Sequence, residues 1–274
     1  MAARPAVDPR PASVEGRQLA QISRTRYRLV LVPGVRNIPA EVVKSIRDYA
    51  EGGGHVLILP ESLLGDEYNR PRPFLAQFGV TVRATERPRV AGSGRMVQGY
   101  DQSFAQDVAF GGGASETLAA QTPQFAAIGP LVTSGVRQTV EPADSAQILY
   151  RYADGKPALV RAHVGKGVAD YSAASLEEAG YARLLDALAG EAGVSRPVRV
   201  RPDSGPGKAV EARFTRLGER RLVYIFNAGA QPVRGRVEIS EGRVAALTEL
   251  RSGQHTRGSE VTVPPHQTNI YELF

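Results

Sequence analysis

The segment that most restricts what this chain can fold into is YRLVLVPGVRNIPAEVVKSIRDYAEGGGHVLILP, residues 27–60. Two short apolar runs, YRLVLVP and HVLILP, flank a stretch in which Ile38, Val42, Ile46 and Tyr49 recur at helical spacing. Apolar runs without alternation read as strands covered on both faces, and recurrence every three or four residues reads as a helix with one buried stripe. Gly52–Gly54 stops that helix. Strand, helix and strand in so short a span form a βαβ unit, whose strands pair in parallel.

The pattern continues. PRPFLAQFGVTVRA reads as a short helix, a stop at Gly79 and a third strand, which predicts an α/β domain with a mainly parallel sheet. Between Arg83 and Glu141 it loosens into GSGRMVQG, FGGGAS and QTPQ loops with short β segments between them. AQILYRYADGKPALVRAHVGKGVADYSA then gives three strands joined by turns at Asp154–Gly155 and Gly165–Lys166–Gly167. SLEEAGYARLLDALAGEAGV is a helix, with Ser175 as cap, Glu178 three residues on as in a capping box, and Gly193 as stop. Its buried stripe is Leu176, Tyr181, Leu184, Leu185 and Leu188.

A Pro/Gly/Ser linker, RPDSGPGK at Arg201–Lys208, separates this region from evenly spaced strands that run to the C-terminus without a helix between them. The expected organisation is an extended N-terminal arm over 1–26, an α/β domain over 27–200, and a small antiparallel β-sandwich over 208–274.

Composition narrows the chemistry. The 274 residues include no cysteine, which removes disulfides, thiolate metal sites and a cysteine nucleophile. The formal charge of +6 invites a nucleic-acid reading, but 34 − 4 = 30 of the basic residues are scattered arginines, there is no Trp, and few aromatics stand near them. Nucleic-acid binding is not expected. No apolar run is long enough for a membrane span, and MAARPAVDPRPASVEGRQ lacks the apolar centre of a signal peptide, so a cytoplasmic location is expected.

Candidate sites are few. The strand end ILPESLLG places Ser62 where a nucleophile elbow would stand, but Pro60, Glu61 and Leu64 replace the small neighbours that turn needs. Glu61 with Asp66 or Glu67 could form a carboxylate pair for glycoside hydrolysis, although carboxylates in a strand-end loop are more often simply solvated. His55, His163, His255 and His266 lack metal-ligand spacing and are expected at surface or half-buried positions; GKG at Gly165–Gly167 lacks the rest of a phosphate loop. No metal or cofactor is implied. Tyr224, Asn227 and Tyr271 could hold a sugar, but Tyr224 and Phe226 share a strand face and read more simply as core.

Several stretches together resemble one family. YRLVLVPGVRNIPAEVVKSIRDYAEGGGHVLIL is similar to the middle, trimerisation domain of family-42 glycoside hydrolases, the β-galactosidases. ILYRYADGKPALVRAHVGKGVADYSA resembles the close of that domain, and RRLVYIFNAGAQPVRGRVEI through VPPHQTNIYEL resembles the small C-terminal β-domain of the same enzymes. The resemblance covers residues 27–274 and implies a flavodoxin-like, class I glutamine-amidotransferase-like fold followed by a β-sandwich. The catalytic (β/α)₈ barrel has no counterpart here, so no catalytic residue carries over. Glutaminase chemistry is not implied either, since it needs an elbow cysteine. The resemblance implies a non-catalytic module acting through a homo-oligomer such as a trimer, or by completing a barrel-bearing partner chain. A stand-alone glycoside hydrolase and a carbohydrate-binding module remain the alternatives.

Overall fold

The computed structural model describes residues 27–87, 115–194, 196–203, 210–240 and 242–274. The expected N-terminal arm, the GSG and GGG stretches and most of the 201–208 linker lie outside these residues. The chain divides into two compact units, Met1–Val194 and Ser195–Phe274. The division falls ahead of the linker, because the strand Val198–Pro202 pairs antiparallel with Val233–Ile239 and so belongs to the second unit.

The first unit opens as the sequence predicts, with β1 (Leu29–Val32), α1 (Ala40–Glu51) and β2 (His55–Ile58), the strands parallel and in register from Leu29↔His55 to Val32↔Ile58. A 3₁₀ turn at Phe74–Phe78 ends on left-handed Gly79 (φ 76°) and leads into β3 (Val80–Glu86). There follow β4 (Thr117–Ala120), α2 (Pro123–Ala126), β5 (Leu131–Pro142), β6 (Gln147–Arg151), β7 (Pro157–Val164), β8 (Gly167–Ser172), β9 (Ala174–Leu176) and α3 (Glu178–Glu191).

The sheet order is β1-β2-β8-β7-β6-β4-β5-β3, with β9 on β5. Among the described pairings of this sheet, only β1/β2 and β2/β8 are parallel. The sheet is therefore mixed and the unit mostly β, which corrects the expectation of a mainly parallel sheet. The short turns after β6 and β7 force antiparallel neighbours, and β3 joins the far edge against β5 rather than extending the βαβ unit.

Both faces of the sheet are covered. Val56 and Ile58 of β2 pack with Val42, Val43 and Ile46 of α1, whereas Leu57 packs with Leu184 and Leu188 of α3. Alternate strand residues point to opposite faces, so the unbroken apolar run HVLIL follows from burial on both. The start of α3 differs from expectation. Ser175 and Leu176 are held in β9 by pairing with β5, so the N-cap is Glu177, without a side-chain cap bond, and no capping box forms.

The second unit contains two antiparallel sheets. One is β10 (Val198–Pro202), β13 (Val233–Ile239) and β16 (Glu260–Val263) in the order β10-β13-β16. The other is β11 (Val210–Leu217), β12 (Arg220–Asn227), β14 (Ala246–Glu249), β15 (His255–Arg257) and β17 (Thr268–Leu273), in the order β11-β12-β17-β14-β15. Val198, Val237 and Val263 of the first meet Val223, Ile225 and Leu273 of the second in one core. Tyr224 and Phe226 are not part of it. They lie on the outer face, 37% and 39% exposed, because the inward set on β12 is Val223, Ile225 and Asn227.

Close backbone approach at the start of β8 gives a test. A Cβ on Gly167 would stand 2.1 Å from the Gly54 carbonyl oxygen and 2.4 Å from that of Ala50. Gly167→Ala is expected to destabilise the first unit by about 1–3 kcal/mol or more in urea unfolding. Gly190→Ala, in α3 with nothing within 4 Å of the new Cβ, is expected to stabilise it by up to about 1 kcal/mol.

Candidate functional site

Parallel strands of an open sheet present ligands at their carboxyl ends, and the carboxyl ends of β1 and β2 carry the loops that contain the sequence candidates. Leaving β2, the chain passes Pro60 and turns sharply: Glu61 and Leu63 are both left-handed, at φ 62° and 58°. Non-glycine residues in that region cost about 1–3 kcal/mol each and must be held by their surroundings. Here Leu63 is fully buried, its N–H donates to the Val35 carbonyl at 2.9 Å, and Leu64 N–H donates to Arg36 at 2.9 Å. The two loops thus brace one another.

The candidates take distinct places. Ser62 is fully buried; its hydroxyl donates to the Val32 carbonyl at 3.1 Å and accepts from Gly34 N–H at 3.0 Å. It ties the two loops together and cannot reach a substrate. The Glu61 carboxylate, 19% exposed, lies 3.6 Å from Arg36 and accepts from Arg87 Nε at 3.0 Å. Two guanidinium groups hold the carboxylate in place as a charge anchor.

Asp66 is buried and organises its own loop. Oδ1 accepts from Tyr68 N–H at 3.1 Å and Arg70 N–H at 2.9 Å, and Oδ2 accepts from Arg72 Nε at 2.9 Å. Desolvation pushes its pKa up, but the hydrogen bonds from Arg70, Arg72 and Tyr68 outweigh it and hold the carboxyl below its usual range. Glu67 is exposed to solvent. The structure therefore places the three carboxylates in one loop but gives each its own role, with neither Glu61 nor Asp66 left unpaired to face a substrate.

Behind Glu61 stands a polar cluster not visible in the sequence. Gln138 of β5 is fully buried; its Oε1 accepts from the Glu61 N–H at 3.2 Å and from the Tyr171 hydroxyl, and its Nε2 donates to Thr85 Oγ1 at 2.9 Å. Burial pushes the Tyr171 phenol far above its ordinary pKa, so it stays protonated and can only donate to this acceptor. Gln138 clamps the strained turn from behind.

A second cluster gathers around His55 at the amino end of β2. Asp170 of β8, fully buried, accepts from Arg161 Nε at 2.7 Å, from Arg161 Nη2 at 2.8 Å and from His55 Nε2 at 2.7 Å. Arg161 Nη2 also reaches Glu191 of α3 at 2.7 Å. Burial alone would raise the Asp170 pKa; the bonds from Arg161 and His55 overcome this and lower it. His55, expected at a surface or half-buried position, is thus buried and paired. The available signal was Asp170 itself, a charge in the middle of the apolar run GVADYS.

Among the described residues, no group of three His, Asp or Glu side chains could hold a metal ion, and no helix is long and apolar enough to cross a membrane. In the second unit, Asn227 is fully buried and ties a turn, donating to Gln231 and Val263 carbonyls and accepting from Gly229 N–H. Tyr271 is buried, with its hydroxyl donating to the Thr262 carbonyl at 3.3 Å. Of the possible sugar contacts, only Tyr224 faces outward.

The fold is similar to that of several β-galactosidases of solved structure. The enzyme from Bacillus circulans sp. alkalophilus is 17% identical with a TM-score of 0.68, over 93% of this chain and 34% of that one. A GH42 β-galactosidase from G. stearothermophilus is 16% identical with a TM-score of 0.65, over 90% and 32%. The cold-adapted β-galactosidase from Rahnella sp. R3 is 18% identical with a TM-score of 0.67, over 92% and 33%. The chain spans about one third of the length of these enzymes. No protein-family model and no curated protein matches the sequence. Among the described residues no sheet closes into a barrel, so the shared third is a part outside the catalytic barrel.

Two substitutions test the local account. Ser62→Ala leaves the Gly34 N–H without its partner and is expected to cost about 1–3 kcal/mol in urea unfolding. For Asp66, the depressed folded pKa means that its stabilisation is complete above the unfolded value near ~4 and is lost as pH falls through the lower folded value. Asp66→Asn should therefore be less stable than the parent at pH 7, with the difference shrinking below about pH 4 in a series of urea midpoints.

Proposed function

We propose that the chain is a non-catalytic assembly or accessory module related to β-galactosidase-type glycoside hydrolases. In this reading the first unit is the flavodoxin-like, class I glutamine-amidotransferase-like trimerisation domain and the second is the β-domain that follows it. The module acts through self-association as a trimer, or by docking on a barrel-bearing chain and bordering its active site.

The observation that carries this is the match of nine-tenths of the chain to one third of several such enzymes, outside the barrel. The state of the carboxylates supports it. Hydrolysis of a glycosidic bond needs one carboxyl to donate a proton and another to attack or activate water. Glu61 is pinned between Arg36 and Arg87, and Asp66 is saturated by its own loop. The elbow at Glu61–Ser62 holds a loop in place; it does not present a nucleophile.

Light scattering on the eluting chain tests the quaternary reading, with a trimer as the expected mass. A monomer that also fails to bind a separate barrel-bearing β-galactosidase would overturn it. Hydrolysis of aryl-β-galactosides is expected to stay at the level of the blank, for the parent and for Glu61→Gln alike. Hydrolysis abolished by Glu61→Gln or Asp66→Asn would establish a stand-alone hydrolase instead.

One observation favours a second reading, a carbohydrate-binding module. Tyr224 and Phe226 stand on the outer face of β12, beside Thr268 and Ile270 of β17. Exposed aromatic side chains offer flat apolar surface of the kind a sugar ring can cover. Galactan binding weakened about tenfold by Tyr224→Ala would support it.

A further inference from the structure

The amino ends of β2 and β8 border a cleft of about 360 Å³, a size at the lower end of ligand sites and suited to one small molecule. Tyr27, Arg28, Gly53, His55, Lys166 and Glu191 are among its walls. It lies at the other end of β2 from the Glu61 loop, about 20 Å of extended chain away.

The cleft contains an unsatisfied acceptor. Asp170 is ionised and can only accept, so His55 Nε2, 2.7 Å from its Oδ2, carries the hydrogen. In the neutral ring the lone pair is then on Nδ1. His55 is only 6% exposed, yet it lines the cleft, and Nδ1 has no hydrogen-bond partner among the described residues. Nδ1 is not sealed from solvent and meets the open space of the cleft. A hydroxyl group on a ligand is the natural donor to it.

The charges define the rest of the ligand. The negative charge of Asp170 is met by Arg161, which bonds it through two nitrogens. Glu191 is engaged on both oxygens, by Arg161 and by Gln124. Arg28 and Lys166 make no ion pair among the described residues. Three cations (Arg28, Arg161, Lys166) against two anions (Asp170, Glu191) leave one positive charge with His55 neutral. One carboxylate lying between Arg28 and Lys166 would balance it.

We propose that this cleft binds a small hydroxylated monocarboxylate of the sugar-acid class, its carboxylate taken by Arg28 and Lys166 and one hydroxyl donating to Nδ1 of His55. The site is distinct from the Glu61 loop and does not depend on the quaternary reading. The assignment is to binding alone.

The test is calorimetric titration of the whole chain with galacturonate, with galactose as the same ring without the charge and acetate as the charge without the hydroxyls. Galacturonate is expected to bind at least about tenfold more tightly than either. Arg28→Gln and Lys166→Gln lie at exposed positions and should leave the fold intact while each weakens galacturonate by about tenfold. On ¹⁵N-labelled protein, the His55 Nδ1 resonance should move on addition of galacturonate and remain in place with acetate. Acetate binding as tightly as galacturonate would reduce the cleft to a site for any anion and overturn the hydroxyl assignment. Galacturonate binding no better than galactose, binding untouched by both substitutions, or no binding at all would overturn the proposal as a whole.

Discussion

The first unit depends on one buried charge. Asp170 sits at the middle of β8, and its carboxylate is bound from β7 by Arg161, its cross-strand partner in the register, and from β2 by His55. A bare carboxylate in an apolar interior is costly, and the attraction of a guanidinium offsets that cost only when the geometry is good and every lone pair has a partner. Here Arg161 bonds both oxygens and His55 adds a third bond at Oδ2. Three strands are thereby fixed at the place where the pairing changes from parallel to antiparallel. Arg161 extends the linkage to Glu191 at the end of α3 and lies 5.3 Å from the Phe125 ring of α2. The helix that covers one face is thus anchored to the same ion pair. The same contact fixes the orientation of the His55 ring through Nε2.

At the carboxyl end of β2 strain is held by neutral hydrogen bonds from Ser62 and Gln138 together with the Arg36 and Arg87 contacts of Glu61. Two left-handed residues, Glu61 and Leu63, make the turn sharper than an ordinary loop, as an elbow requires. Ser62 closes it below, Gln138 closes it behind, and two arginines hold the Glu61 carboxylate above. The geometry that other proteins use to expose a nucleophile here directs the only hydroxyl of the turn inward. Fold and chemistry are separable in this way, because a backbone turn specifies where a side chain starts and leaves its chemistry to the residue.

The βαβ unit, the helix Glu178–Glu191 and the strands of the C-terminal sandwich were all legible in the sequence. Each rests on a local period of apolar residues or on a glycine stop, and those are properties of a short stretch. The resemblance to part of the β-galactosidases was legible for a related reason: it lies in the order of such stretches. The parallel sheet was overestimated because strand direction depends on where each strand docks. The turns after β6 and β7 contained the correction, but the docking of β3 against β5 did not. Ser175 looked like a helix cap because the local motif was right; pairing of β9 with β5 kept it extended.

What the sequence alone determined, then, is the type of the segments with a clear apolar period or glycine stop (the opening βαβ unit, the Glu178–Glu191 helix and the C-terminal strands), since propensity, period and turn chemistry act over a few residues. It also excluded thiol chemistry outright, by containing no cysteine. Only the tertiary structure decided the polar clusters. Glu61 and Gln138 are 77 positions apart and His55 and Asp170 are 115 apart. Partners so distant leave no local period, and their meeting is set by strand order. The same applies to Tyr224 and Phe226, whose alternation is plain in the sequence while the choice of inner face is made by the opposing sheet.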